Sequence, residues 1–287
     1  LDTPQDQLDA SAGQEAGLPA HGRSPQIELR RSRFWGFALA AGIASGLVAW
    51  LAGEASHLRR SRFWGFALAA GIASGLVAWL AGEASHDLFK SATRTVNSKG
   101  MIALKITDRR EAASAAAWNS ALTFMLLGAT LGAAMGVAGG LARRSRSAAG
   151  RAALIGLTAG ACGSVAMSAL LLPPYNIYKQ RNPDEAARDL VLPVLVHAAI
   201  WATAGAAAGA AFGVGLGSDR AAGGRLLTGG LLGAAVAAVV YELVGAVVFT
   251  SATTAQFVSE TWQPRLFASL IMTLFTAIGL ALSLRES

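Results

Sequence analysis

The chain has 287 residues, of which 53% are hydrophobic and only 14% charged. Soluble domains carry about 25% charged residues, so this composition argues against a water-soluble globular domain and for a chain whose solvent is mostly lipid. The formal charge of +7 does not call for a nucleic-acid partner, because no basic segment is interleaved with exposed aromatics and the arginines cluster in short loops beside apolar runs.

In chain order, residues 1–28 are rich in Asp, Gln, Ser, Gly and Pro and read as a disordered polar tail. The chain begins at Leu1 rather than Met, which fits a non-standard start codon or a truncation. No cleavable signal peptide is expected ahead of the first apolar run, which follows more than thirty mostly polar residues.

Residues 29–57 recur letter for letter at 58–86. Ancient repeats drift, so an identical 29-residue tandem points to a recent in-frame duplication or to an assembly error in the sequence. Each unit reads as one transmembrane helix, at 35–53 and 64–82. Trp35 and Trp50, and their duplicates Trp64 and Trp79, stand about 22 Å apart along a helix, a spacing suited to two interfacial aromatic belts.

A polar connection, 87–111, carries six cations, with DLFKSATRTV read as a short interfacial helix and MIALKI as a short extended piece. The remainder, 112–287, continues the membrane domain with apolar runs at 112–141, 152–172, 190–217, 226–249 and 266–284, free of charge except for Glu242. A bilayer core about 30 Å thick is crossed by roughly 20 apolar helical residues, so each run qualifies as a span. The turns fall at 142–151 and 218–225. Pro173 and Pro174 are expected to stop the fourth span because they lack donors and clash with a continuing helix. Trp262 and Pro264 mark the start of the last one. The fold class expected is all-α: a polytopic transmembrane bundle of six core helices plus one tandem-duplicated helix, closely packed through Gly and Ala.

Two hairpins, 112–172 and 190–249, read as internal repeats. GATLGAAMGV at 128–137 matches GAAAGAAFGV at 205–214 in seven of ten positions, and the segments at 146–157 and 220–231 match in six of twelve. Arginines crowd the two hairpin turns, so the positive-inside rule places those turns and the C-terminus in the cytoplasm, in a plasma or inner membrane. Six spans satisfy that rule. A seventh, 35–53, would put Arg30, Arg31 and Arg33 outside, so it is expected to be peripheral.

Chemistry-bearing residues are sparse. Gly128, Gly132 and Gly136, and likewise Gly205, Gly209 and Gly213, stand at i, i+4, i+8 and line one helix face in each set, which admits a neighbouring helix at close range. Intramolecular packing is the plain use of such faces, with homo-oligomerisation the other. Glu242 is the one acid well inside a span. A charge at the bilayer centre costs at least about 2.5–3.5 kcal/mol, so Glu242 should have a partner. His197 is the candidate, at similar depth on the antiparallel neighbour. Under the repeat alignment their counterparts are Ser120 and Ser168. The pair reads as a protonated acid bonding a neighbouring helix, or as a proton- or cation-handling site, since both residue types exchange protons in apolar surroundings. Two ligands without a third make a poor metal site.

Glu54–His57 and Glu83–His86 have the Glu-x-x-His spacing of di-iron bundles, but the other glutamates that site needs are missing. Trp118 and Asn119, and Tyr175, Asn176 and Tyr178, read as interfacial anchors. Cys162, the single cysteine, reads as a small hydrophobe, and it excludes an intrachain disulfide. No nucleotide, hydrolase or metalloprotease motif is present, so no catalytic residue, cofactor or metal is assigned. The expected partners are membrane lipids. The leading functional expectation is a packing or scaffold bundle; the alternative is a small permease or channel-like protein using Glu242 and His197.

Overall fold

The computed structural model describes residues 61–85, 88–89, 93–98, 101–106, 109–186, 189, 191–249 and 257–284. The tail 1–28, the first copy of the duplicated helix at 35–53, the Glu54–His57 pair and His86 lie outside the described residues.

Six long helices make up the described bundle: α1 (Ser61–Ala84), α2 (Arg109–Ala142), α3 (Arg146–Arg181), α4 (Val191–Leu216), α5 (Arg220–Val248) and α6 (Trp262–Ser283), with a four-residue helix, Pro183–Ala186, after α3. All six are long and apolar enough to cross a membrane. In lipid no water is available to satisfy a backbone amide, so a span must close its hydrogen bonds internally, and a helix does so residue by residue. Leu154, Leu170, Leu195, Leu243 and Val247 stay exposed around the bundle, which is the outside a lipid solvent favours and water does not.

The helices are longer than their charge-free cores. α3 begins at Arg146 and α5 at Arg220, so the turns shrink from the expected 142–151 and 218–225 to a few residues each. Both are built alike. Arg144 (φ +61°) and Gly217 (φ +68°) take left-handed conformations just past the ends of α2 and α4. The amide of the next residue then reaches five residues back, Ser145 N–H to the Gly140 carbonyl at 2.9 Å and Ser218 N–H to Gly213 at 3.0 Å. This Schellman arrangement satisfies carbonyls left orphaned at a helix end. The following helix is capped at once, by Ser145 accepting from the Ala148 amide (3.3 Å) and by Asp219 accepting from Ala222 (2.8 Å).

Two expectations fail here. Pro173 and Pro174 do not end the fourth span: they lie inside α3, which runs on to Arg181. The prolines forfeit only the two amide bonds of their own nitrogens, and a transmembrane helix tolerates such a loss when its neighbours accommodate it. The connection 87–111 is also not helical over Thr93–Val96. Thr93–Ser98 (β1) and Met101–Ile106 (β2) pair as an antiparallel hairpin, with Arg94 opposite Lys105. Thr93, Thr95 and Val96 are β-branched and favour a pleated strand over a helix.

α1, α2, α4, α5 and α6 touch one another in a closed ring, α1–α2–α4–α5–α6–α1, and α3 packs outside it against α2 and α4. The bundle packs tightly because backbone meets backbone. A Cβ on Gly128 would strike the Gly160 carbonyl, one on Gly132 the Gly156 carbonyl and one on Gly136 the Ala152 carbonyl. Between α4 and α5, Gly205 lies on the Gly230 carbonyl and Gly209 on that of Leu226. Gly213 differs, since a Cβ there would sit 3.4 Å from Leu226 Cδ1, an ordinary contact. Between these glycine contacts the interior is filled by large side chains, Trp201, Phe212, Leu131 and Met135 among them.

Candidate functional site

The ionisable side chains of the ring interior gather at the end opposite the two arginine-bearing turns. His197 stands six residues into α4 and Glu242 six residues before the end of α5. The hairpin is antiparallel, so both lie about 10 Å from that end of the bundle. His197 Nδ1 and Glu242 Oε1 are 2.5 Å apart, with the two side chains 3% and 11% exposed. On the other side of the ring, His197 Nε2 is 3.2 Å from the carbonyl oxygen of Phe257, in the segment leading to α6.

These contacts fix the proton count. A carbonyl only accepts, so Nε2 carries a hydrogen and donates to Phe257. Nδ1 and Oε1 then share a single proton: either the imidazolium N–H donates to a carboxylate, or the carboxyl O–H donates to a neutral imidazole. The pair sums to zero charge both ways, which is what an apolar interior demands. If that proton leaves, the one hydrogen left on the imidazole serves either Glu242 or the Phe257 carbonyl, and one of the two contacts is given up.

The imidazole sits within aromatic walls. Phe124 of α2, Trp201 of α4, Tyr241 of α5 and Phe257 lie with ring centroids 5.2–6.0 Å from it. Phe257 is itself backed by Tyr175, edge to face at 4.3 Å. Tyr175 therefore belongs to the support of the site rather than to an interfacial belt. It reaches that position because α3 continues past its prolines. Tyr178 is only partly buried near the end of the helix.

A second pair lies close by. Arg265, in the first turn of α6, donates from Nε and Nη2 to the two oxygens of Glu83 at 2.7 and 2.8 Å, and from Nη1 to the carbonyls of Ser259 and Glu260. This two-pronged geometry is the stronger form of an arginine–carboxylate contact. Both Glu83 oxygens are thereby engaged, which removes the acid from the Glu-x-x-His reading of 83–86. No group of three or more His, Cys, Asp or Glu that could hold a metal occurs among the described residues. His197, Glu83 and Arg265 border one cavity of about 30 Å³ inside the ring.

Sequence reasoning brought Glu242 and His197 to one depth, and the structure places them in contact. It did not find the Glu83–Arg265 pair, 182 residues apart, although each stands as an isolated opposite charge at the same end of the bundle. Ser120 and Ser168, the aligned counterparts of the His–Glu pair, are both buried but not bonded to each other. Ser120 donates to the Ala116 carbonyl of its own helix at 2.8 Å, and Ser168 Oγ has no partner among the described residues. Asn119 clamps the connection instead of simply anchoring at the interface, accepting from the Phe89 amide and donating to its carbonyl at 3.0 and 2.9 Å. Cys162 is exposed on the outside of α3.

No protein-family model, curated protein or solved structure matches this chain.

Proposed function

We propose that the protein is a small proton-coupled permease of the membrane, in which His197 and Glu242 carry the transported proton. The observation that carries this reading is the buried His197–Glu242 contact inside a ring of five helices, beside a cavity. Packing alone does not call for such a pair, because apolar residues of similar volume in place of a buried ion pair are often as stable or more so. Intramembrane ionisable residues mark ion and proton pathways by default, and a histidine that gives up one of its two contacts on losing the proton couples protonation to the packing of α4 against α5 and the segment leading to α6. The cavity of about 30 Å³ admits only a small occupant, so this conformation is the closed one of the cycle.

The arginine-bearing turns, Arg143, Arg144, Arg146 and Arg151 with Arg220 and Arg225, face the cytoplasm of a plasma or inner membrane under this reading, and the C-terminus lies with them. The site then opens to the outer face. The two hairpins are internal repeats, supported by their shared turn design, and the glycine faces serve packing within the chain rather than oligomerisation. Their interhelical contacts are already filled by α3 and α5.

A scaffold bundle is the second reading, favoured by the four aromatic rings around His197. Reconstitution separates the two. In proteoliposomes under an imposed pH gradient, solute-dependent proton movement is expected for the wild type, and Glu242→Gln reduces it to the level of empty vesicles while the purified variant stays monodisperse and helical. Wild-type flux equal to that of empty vesicles across candidate solutes replaces the permease by the scaffold.

A further inference from the structure

The cavity inside the helix ring has a surplus of donors. Trp201 is 1% exposed, and its indole N–H has no partner among the described residues. The indole N–H of Trp79, on α1, is likewise buried and unpartnered. Both side chains line the cavity. An indole nitrogen can only donate, and a buried donor left unmade costs about 1–3 kcal/mol. The nearest strong acceptors already serve other donors: both Glu83 oxygens and the Ser259 carbonyl each receive a hydrogen from Arg265, and Glu242 Oε1 and the Phe257 carbonyl lie on the two nitrogens of His197. The cavity needs an acceptor to fill it. A metal cation would find hydrogens where it requires lone pairs.

We infer that this cavity binds a small, weakly hydrated monovalent anion of the halide class, held by the indole N–H groups of Trp201 and Trp79. Its volume of about 30 Å³ suits an occupant of that size. Its other walls include Ala78, Phe124 and Leu127, which replace little of a hydration shell. Chloride and bromide therefore enter at lower cost than the strongly hydrated fluoride.

Charge balance then assigns a role to the neighbouring pair. Facing the cavity are Glu83 from α1 and Arg265 from α6, which cancel. His197 from α4 and Glu242 from α5 share one proton and sum to zero. Tyr241 of α5 and Thr123 of α2 are neutral, and α3 contributes only Tyr175, behind Phe257. An entering anion leaves one negative charge uncompensated. The His197–Glu242 pair cancels it by taking a second proton, with the imidazole protonated at both nitrogens and the carboxyl also protonated. One anion and one proton enter together, and no other bond changes. This coupling rests on the permease reading; the anion site itself does not.

The test is a bromide titration of the purified full chain in chloride-free gluconate buffer at constant ionic strength, read by tryptophan fluorescence. Saturable quenching is expected. Trp201→Phe and Trp79→Phe should each weaken it at least about tenfold, the loss of one hydrogen bond to a charged ligand. Trp118→Phe, at a position 57% exposed and away from the cavity, leaves it unchanged. A pH dye in weak buffer should report one proton taken up per bromide bound, and none in the double variant His197→Gln with Glu242→Gln, which keeps no group to take it. Linear quenching, or saturable quenching that survives both cavity substitutions in folded protein, overturns the site. Vesicle flux that persists without bromide binding removes the anion and keeps the permease. Bromide binding in a protein that moves no protons across vesicles does the reverse.

Discussion

In the α2–α3 hairpin the helices meet at Gly128, Gly132 and Gly136, turn through a left-handed residue, and leave two buried serines at the far end that do not bond each other. In the α4–α5 hairpin the helices meet at Gly205 and Gly209 and turn through the same hydrogen-bond pattern. The corresponding far end holds His197 and Glu242 in direct contact. Helix contact and chain reversal are thus achieved identically with and without an ionisable pair. Packing does not explain why one hairpin carries it. The pair is an addition to a scaffold that already closes.

The largest expected effect breaks that addition in half. His197→Ala leaves Glu242 buried without its partner, and losing one member of a buried pair costs about 3–5 kcal/mol. Replacing both, as His197→Leu with Glu242→Leu, removes the need for a partner and should recover most of that loss, since apolar replacements of buried pairs are commonly neutral. Equilibrium unfolding in mild detergent compares the two variants. Equal instability of the single and double variants would mean that the pair is part of the packing after all.

Next in size is a contrast between glycines that the sequence treats as equivalent. A Cβ on Gly132 runs into the backbone carbonyl of Gly156, which cannot move without separating α2 from α3, so Gly132→Ala should cost about 1–3 kcal/mol, as overpacking does. Gly213→Ala places its methyl 3.4 Å from a flexible leucine terminus and should fall within about 0.5 kcal/mol of the wild type. The same unfolding assay decides, and equal losses at both positions would remove the distinction between contact and spacer glycines.

That distinction shows where sequence reading stops. Apolar runs of about twenty residues are dictated by bilayer thickness, so all six described spans were legible without coordinates. Their ends were not, because arginines such as Arg146, Arg151, Arg220 and Arg225 sit on the terminal turns of helices with their charged heads free to reach water. Periodicity put all six glycines on faces but could not tell which face meets backbone. That depends on the register of one helix against another, and α2 runs about one turn further past Gly136 than α4 does past Gly213. Depth counting paired His197 with Glu242 because both distances are measured from helix ends. The Phe257 carbonyl, the aromatic walls and Arg265 on Glu83 depend on which helices close the ring, and no local pattern encodes that.

The smallest effect concerns the turns themselves. Arg144 and Gly217 occupy the same left-handed position, at φ +61° and +68°, yet only glycine adopts it without its Cβ crowding the following carbonyl. For other residues the conformation costs about 1–2 kcal/mol. Arg144→Gly should therefore stabilise the α2–α3 hairpin, by about 0.5–1 kcal/mol once the greater freedom of an unfolded glycine is subtracted. The exposed Arg144 side chain gives up no contact that would offset this gain, and Arg143, Arg146 and Arg151 keep the turn basic. Gly217→Ala should move the other way, since its new Cβ meets the strained φ and the Arg143 guanidinium lying over that glycine. Opposite signs at matched positions would show that the two reversals are energetically one motif. A destabilising Arg144→Gly would mean that the arginine holds its turn through an interaction the glycine turn does without.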